Sequence, residues 1–352
     1  MTRAPSNTET AAEALRRAAG SETLAMLNGI FEAARLIPAQ SEAPNRSLPL
    51  TVISGFLGAG KTTLVNRLLT EPHGRRIAVL VNDFGAVNID EELIRSRSED
   101  TIGLANGCAC CSVAGDLTKA LLRLLGRTDP PDAIVLEASG LADPHGIAQV
   151  ALANPAIRLD GVLTLVDGET FLERTADPET LPTVTAQLMA ADLVVLNKLD
   201  LMKDDKELIR ARLRQFTGER TIFETVRADV PVDVVLGVNA RQPSRFQCAT
   251  EGHAGSFRSW ARSWDGPLDR DHMMAALAQL PSHVVRAKGV FHFASEPASR
   301  SVYQRVGRRE SWETEAAPPA RSQLVVISSS ADWNEEAVAR HFDGAAEEAL
   351  NT

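Results

Sequence analysis

No stretch of this 352-residue chain approaches the roughly 18 consecutive apolar residues that cross a bilayer, so helical membrane spans are excluded from the reading. The first residues lack a charged-then-apolar leader ending in a small-residue cleavage site. Cytoplasm is therefore the expected compartment, and no membrane is expected as a partner. Basic residues are also short: 37 Lys and Arg against 46 Asp and Glu leave a net charge of −9. That is the wrong sign for a surface built to hold phosphate backbones, and nucleic acid is not an expected partner. Cysteine is scarce, with four in all, and in a reducing compartment clustered thiols are ligands or catalysts more often than bridges. No internal repeat, low-complexity tract, Ser–His–Asp arrangement or paired-carboxylate pattern is present. What remains is 44% hydrophobic and 24% charged, the composition of a globular protein of about two domains.

Residues 1–47 read as a helical extension followed by a turn-rich linker. From residue 48 the pattern becomes short apolar runs alternating with helical stretches. The runs at 50–54, 77–82, 133–137, 161–167 and 192–197 are continuously apolar, as strands buried on both faces must be. Helices are expected at 62–69, 115–125 and 205–216. The alternation predicts an α/β fold with a doubly wound, mostly parallel sheet over 48–238, its ligands at the carboxyl ends of the strands. A polar stretch at 239–255 reads as a linker. Beyond it, a smaller α+β domain is expected over 256–345, with strands at 257–264, 287–294, 301–307 and 323–329 and helices near 269–280 and 334–342.

"SGFLGAGKTT" (54–63) follows the first strand and opens the first helix. It fits G-x-x-x-x-G-K-[ST] through Gly55, Gly60, Lys61 and Thr62, with Gly58, Ala59 and Thr63 completing the loop. Glycines let backbone N–H groups wrap phosphates, and the helix N-terminus adds its positive end. Lys61 should reach the β- and γ-phosphates, and the Thr62 hydroxyl should bind Mg²⁺. "LVVLNKLD" (193–200) places Asn197, Lys198 and Asp200 at a strand end, in the N-K-x-D order that reads guanine. The Asp200 carboxylate can accept from both N1–H and N2–H₂ of guanine, a donor pair adenine lacks, so GTP is the expected nucleotide. Asn197 would brace the loops, and the Lys198 stem would cover the base. Between them, "IVLEASGLADP" (134–144) sets Glu137 to hold the Mg²⁺ shell or the attacking water, and Gly140 to touch the γ-phosphate. "VNDFGAVNID" (81–90) stands in the position of a first switch, with Asp83 and Asp90 as its carboxylates; Asp90 could equally cap a helix.

Cys108, Cys110 and Cys111 lie within "ANGCACCSVAGDL" (105–117). Thiolates suit Zn²⁺ and other soft or borderline metals, and a structural zinc site usually closes with four ligands. Only three thiols are local, so Asp83 or water would complete an open, labile site; Asp83 is the expected ligand. A following helix N-terminus would lower the thiol pKa values. A strained disulfide between neighbours and buried inert cysteines are the competing readings.

Together "LPLTVISGFLGAGKTTLVNRLL", "VNDFGAVNID", "LANGCACCSVAGDL", "EASGLADP", "LNKLD", "VVRAKGVFHFA" and "YQRVG" resemble one family, the CobW-like metallochaperone GTPases, over residues 48 to about 345. The resemblance implies GTP hydrolysis with Mg²⁺, in which Lys61, Glu137 and Asp83 assist. It also implies a transition metal, commonly Zn²⁺ and alternatively Co²⁺, on the C-x-C-C thiolates. Metal delivery to a client metalloprotein follows, with the second domain as the client-engaging module. A nucleotide-dependent homodimer is a further expectation. Three departures stand out. Relatives often read N-E-F-G-E where this chain has Asp83 and Ala86. Glu169 and Thr170 stand where some members place a His, and the linker has only His253. The competing functional readings are a P-loop kinase and a metal-sensing scaffold with little turnover.

Overall fold

A computed structural model describes residues 47–81, 101–103, 117, 120–152, 154, 156–202, 205–218, 220–237, 258–315, 321–329 and 333–347. The N-terminal extension, the linker at 239–255, the first-switch segment with Asp83 and Asp90, and Cys108, Cys110, Cys111 and Cys248 all lie outside them.

Seven strands form one parallel sheet in the order β3-β2-β4-β1-β5-β6-β7. They are β1 (Leu48–Gly55), β2 (Ile77–Val81), β3 (Thr101–Gly103), β4 (Ala133–Glu137), β5 (Ile157–Asp167), β6 (Leu193–Asn197) and β7 (Ile222–Glu224). Strands buried on both sides are predominantly apolar, and β1, β2, β4 and β6 are buried throughout, with Thr51, Ser54, Glu137 and Asn197 as their polar members. Successive side chains go to opposite faces. In β6, Leu193 and Val195 join the cluster under α1 (Lys61–Thr70). Val194 and Leu196 join the cluster under α3 (Phe171–Ala176), α4 (Leu181–Ala190) and α5 (Lys206–Thr217). Helical residues 120–125 and α2 (Pro144–Leu152) cover the neighbouring part of the sheet. A short helix, α6 (Val232–Leu236), completes this half. The alternation read from the sequence is thus realised as a sheet with helices on both faces.

The second sheet is antiparallel, ordered β11-β10-β9-β12-β8. Its strands are β8 (Arg258–Trp264), β9 (Val284–Phe291), β10 (Arg300–Val306), β11 (Arg309–Glu315) and β12 (Ser322–Ser328). One face packs on α7 (Arg270–Ala278) and α8 (Glu335–Glu347) through Leu324, Val326, Met273 and Phe342. From the other face, Val325 and Ile327 enter the same cluster as Leu64, Val195 and Val234. The two sheets therefore share a core.

Buried charge crosses that junction. Arg286 and Asp160 form an ion pair with both side chains 2% exposed. Arg286 Nη1 also donates to the carbonyls of Val234 at 2.8 Å and Val235 at 3.0 Å. Gly237 (φ +72°) has no room for a Cβ, which would stand 2.6 Å from Arg286 Nη2. Nearby, burial pushes the Asp233 carboxyl up and the Arg75 guanidinium down from their ordinary values despite their mutual attraction. Such pairs are costly to break rather than strongly stabilising when intact. Asp160→Ala is expected to destabilise the protein by about 3–5 kcal/mol, because a guanidinium is left buried and unpaired. The double variant with Arg286→Met should recover only part of this, since the Val234 and Val235 carbonyls lose their donor. Urea midpoints at constant slope read both effects.

Candidate functional site

The loop from Gly55 to Thr62 closes over the end of β1. A Cβ at Gly55 (φ +138°) would lie 2.3 Å from the Leu165 carbonyl oxygen, and Gly60 (φ +106°) turns the chain into α1. Both positions demand glycine, for packing as well as backbone conformation. Lys61 is buried, and its ammonium donates to the carbonyls of Gly55 at 2.9 Å and Phe56 at 3.2 Å. It therefore lies folded along the loop's own backbone. The Thr62 hydroxyl donates to Glu137 Oε1 at 2.7 Å. Parallel pairing of β1 with β4 sets Ile53 beside Glu137, so the strand ends deliver hydroxyl and carboxylate to one place. Two hard oxygen donors side by side at the start of a phosphate loop fit a small divalent cation such as Mg²⁺. Thr63 is exposed one residue further along.

Beyond Glu137 the chain turns at Gly140, against the loop after β1. A Cβ on Gly140 would stand 2.5 Å from Leu57 Cδ2 and 2.8 Å from Leu57 N. Leu57 and Leu141 are both exposed on this rim.

At the end of β6, Asn197 is 2% exposed. Its Nδ2 donates to the Ala59 carbonyl at 2.9 Å, and its Oδ1 accepts from the Ala228 N–H at 2.8 Å. One side chain thus joins the phosphate loop to the loop after β7. Lys198 has a left-handed backbone (φ +62°), and its ammonium pairs with Asp167 at 2.7 Å. Asp200 is exposed. Asp167, the last residue of β5, and the loop at Arg227 and Ala228, both left-handed at φ +52° and +51°, were not singled out from sequence. An aspartate ending an apolar strand was the available signal for the first; nothing local marks the second.

The structure brings Gly55, Gly58, Ala59, Gly60, Lys61, Thr62, Glu137, Gly140 and Asn197 to the carboxyl edge of one sheet. Asp83 and the three thiols lie outside the described residues. Among the described residues no group of three His, Cys, Asp or Glu side chains is placed to hold a metal. In the second domain His272, His283 and His341 take local partners instead. His272 sits beside Asp269, and His283 bonds to Ser328 while burial lowers its pKa. Among the described residues no helix is long and apolar enough to cross a membrane.

Comparison with known proteins adds five findings. The family model for the CobW/HypB/UreG nucleotide-binding domain matches residues 49–224, and that for the cobalamin synthesis protein CobW C-terminal domain matches residues 257–346. The zinc chaperone CobW of Pseudomonas aeruginosa is 33% identical over 337 residues, which cover 81% of this chain and 88% of the relative. The zinc chaperone YjiA of Escherichia coli is 29% identical over 280 residues, covering 74% and 86%. A crystal structure of Zn(II)-bound YjiA GTPase from E. coli covers 85% of this chain and 99% of its own at 23% identity, with a TM-score of 0.41.

Proposed function

Because the chain belongs to the CobW family, with both its nucleotide-binding and its C-terminal domain, we propose that it is a GTP-hydrolysing metallochaperone. The single observation that carries the nucleotide half is the Asn197 bridge, which ties the phosphate loop at Ala59 to the Ala228 loop beside the N-K-x-D segment. Such a bridge makes phosphate binding and base reading one cooperative site. Backbone N–H groups of residues 55–62 take the phosphates, Lys61 turns from its carbonyl partners to the β- and γ-phosphates, and Asp200 reads guanine. Thr62 and Glu137 hold Mg²⁺, which when bound neutralises charge on the transferred phosphoryl group. Glu137 orders the outer oxygens, and Gly140 meets the γ-phosphate.

The metal half rests on the three thiols and on relatives named zinc chaperones. Cys108, Cys110 and Cys111, with Asp83, take Zn²⁺ or Co²⁺ as cargo, and the cargo passes to a client metalloprotein engaged through the second domain. GTP and metal affinities are coupled, and the coupling is reciprocal.

Full-length protein purified without oxygen is expected to carry about one Zn²⁺, to lose it in Cys110→Ser, and to release phosphate from GTP with Mg²⁺ and no acceptor. Zn²⁺ affinity should differ between a GTP analogue and GDP. Equal affinities would overturn the coupling, and GDP formed only when a small acceptor is present, with the phosphoryl group recovered on that acceptor instead of as free phosphate, would make the protein a kinase.

A further inference from the structure

α4 runs beneath the loop after β4 and carries one amide into an apolar wall. Gln187 is 2% exposed, with Val184 and Leu188 of the same helix in the apolar cluster around it. A buried amide is costly unless its donors are used, so its partners define its role. Nε2 donates to the carbonyls of Gly140 at 2.9 Å and Ala142 at 3.4 Å. The main-chain carbonyl of Gln187 accepts from Thr164 Oγ1 of β5 at 3.0 Å, which seats the helix on the sheet. On its other side Gly140 is pressed against the Leu57 backbone, with no space for a Cβ. The Ala142 N–H closes the turn onto the Ser139 carbonyl at 3.0 Å. The loop is thus held between the phosphate loop and a single buried side chain that grips it by two carbonyls.

We propose that Gln187 is a positioning residue for GTP hydrolysis. By holding the Gly140 and Ala142 carbonyls it fixes the Gly140–Leu141 and Ala142–Asp143 peptide planes, and so sets the position of Gly140, whose N–H approaches the γ-phosphate. The inference rests on the GTPase reading and assigns to that site a residue 47 positions away in sequence. GDP has no γ-phosphate, so an amide acting only through this loop should leave GDP binding nearly alone.

Gln187→Met keeps the volume and removes the donor; Gln187→Glu keeps the shape and turns an oxygen toward two carbonyls. Both are expected to lower kcat about 10- to 100-fold, the scale of a small misplacement at a reacting centre. They should weaken a non-hydrolysable GTP analogue about 10-fold while GDP affinity stays within about 3-fold, Glu being the more severe. Thr164→Val, which loosens the seat of α4 but keeps the amide, should lower the melting temperature and leave the GTP-to-GDP affinity ratio unchanged. Folded Gln187 variants that weaken GDP and the analogue equally, or keep the wild-type kcat, would overturn the assignment. So would a Thr164→Val protein that shifts the ratio as far as they do. Wild-type protein that binds neither nucleotide would overturn the GTPase reading itself, a separate outcome.

Discussion

Asp200→Asn is expected to weaken GTP binding by about 10²- to 10⁴-fold and to turn the base preference toward xanthine. In the proposed pose the carboxylate accepts from guanine N1–H and from the exocyclic amine. Hydrogen bonds to a charged group contribute about 1.5–3 kcal/mol each, and two of them set that range at about 1.4 kcal/mol per tenfold. An asparagine amide can accept only one of these bonds, and it points N–H₂ at the guanine amine, donor against donor. Xanthine replaces that amine with a carbonyl, so the same asparagine accepts from N1–H and donates to O2. The surrounding frame does not depend on the substituted atom. Asn197 is held by Ala59 and Ala228, Lys198 by Asp167, and Leu201 N–H by the Lys198 carbonyl at 3.0 Å. Asp200 itself is exposed, so stability should hardly change. Titration with fluorescent GTP and XTP measures the outcome; equal losses for both nucleotides, or none for either, would remove Asp200 from the base site.

That frame was partly legible in the sequence, and the line between legible and hidden parts is physical. Runs such as "AIVLE" announce a strand buried on both faces without reference to any partner, and β4 occupies Ala133–Glu137 as the run indicates. The glycine pattern of 55–62 carries its own geometry, since each residue answers a local demand on φ or on space. Three-residue strands do not work this way. β7 (Ile222–Glu224) exists because its edge meets β6, Val195 against Phe223. β11 reads "RESWETE", polar at most positions, and only its pairing with β10, Tyr303 against Trp312, makes it a strand. β9 begins at Val284, three residues ahead of the expected 287, so Arg286 fell outside the predicted strand. It proves to be the buried cation between the sheets. Gln187 was hidden for a related reason. In "LPTVTAQLMA" a glutamine reads as solvent-facing, and nothing nearby in sequence says that the helix lies under Gly140. Residues that answer local demands were readable; those that answer a partner distant in sequence were not.

Asn197 shows what such a distant demand does to function, and Asn197→Ala is expected to damage phosphate and base binding together. Truncation leaves the Ala59 carbonyl without its donor and the Ala228 N–H without its acceptor, both in the interior. Each unpaired buried group costs about 1–3 kcal/mol, so about 2–6 kcal/mol is divided between stability and binding. Arg227 and Ala228 hold left-handed conformations at φ +52° and +51°, which for non-glycine residues cost about 1–3 kcal/mol each and persist only where surrounding bonds enforce them. Without the Asn197 acceptor the loop is free to relax away from the base, and Ala59 can shift with the phosphate loop. GTP and GDP should therefore weaken by a common factor of about 5 to 150, the size of one such lost pairing. The preference for GTP over ITP, which lacks the exocyclic amine read by Asp200, should survive in whatever binding remains. Calorimetry with the three nucleotides, alongside the melting temperature, separates the cases. A variant whose GTP and GDP affinities fall while ITP binds as it does to the wild type would mean that Asn197 serves the base alone, and that the bridge between the two loops does not couple them.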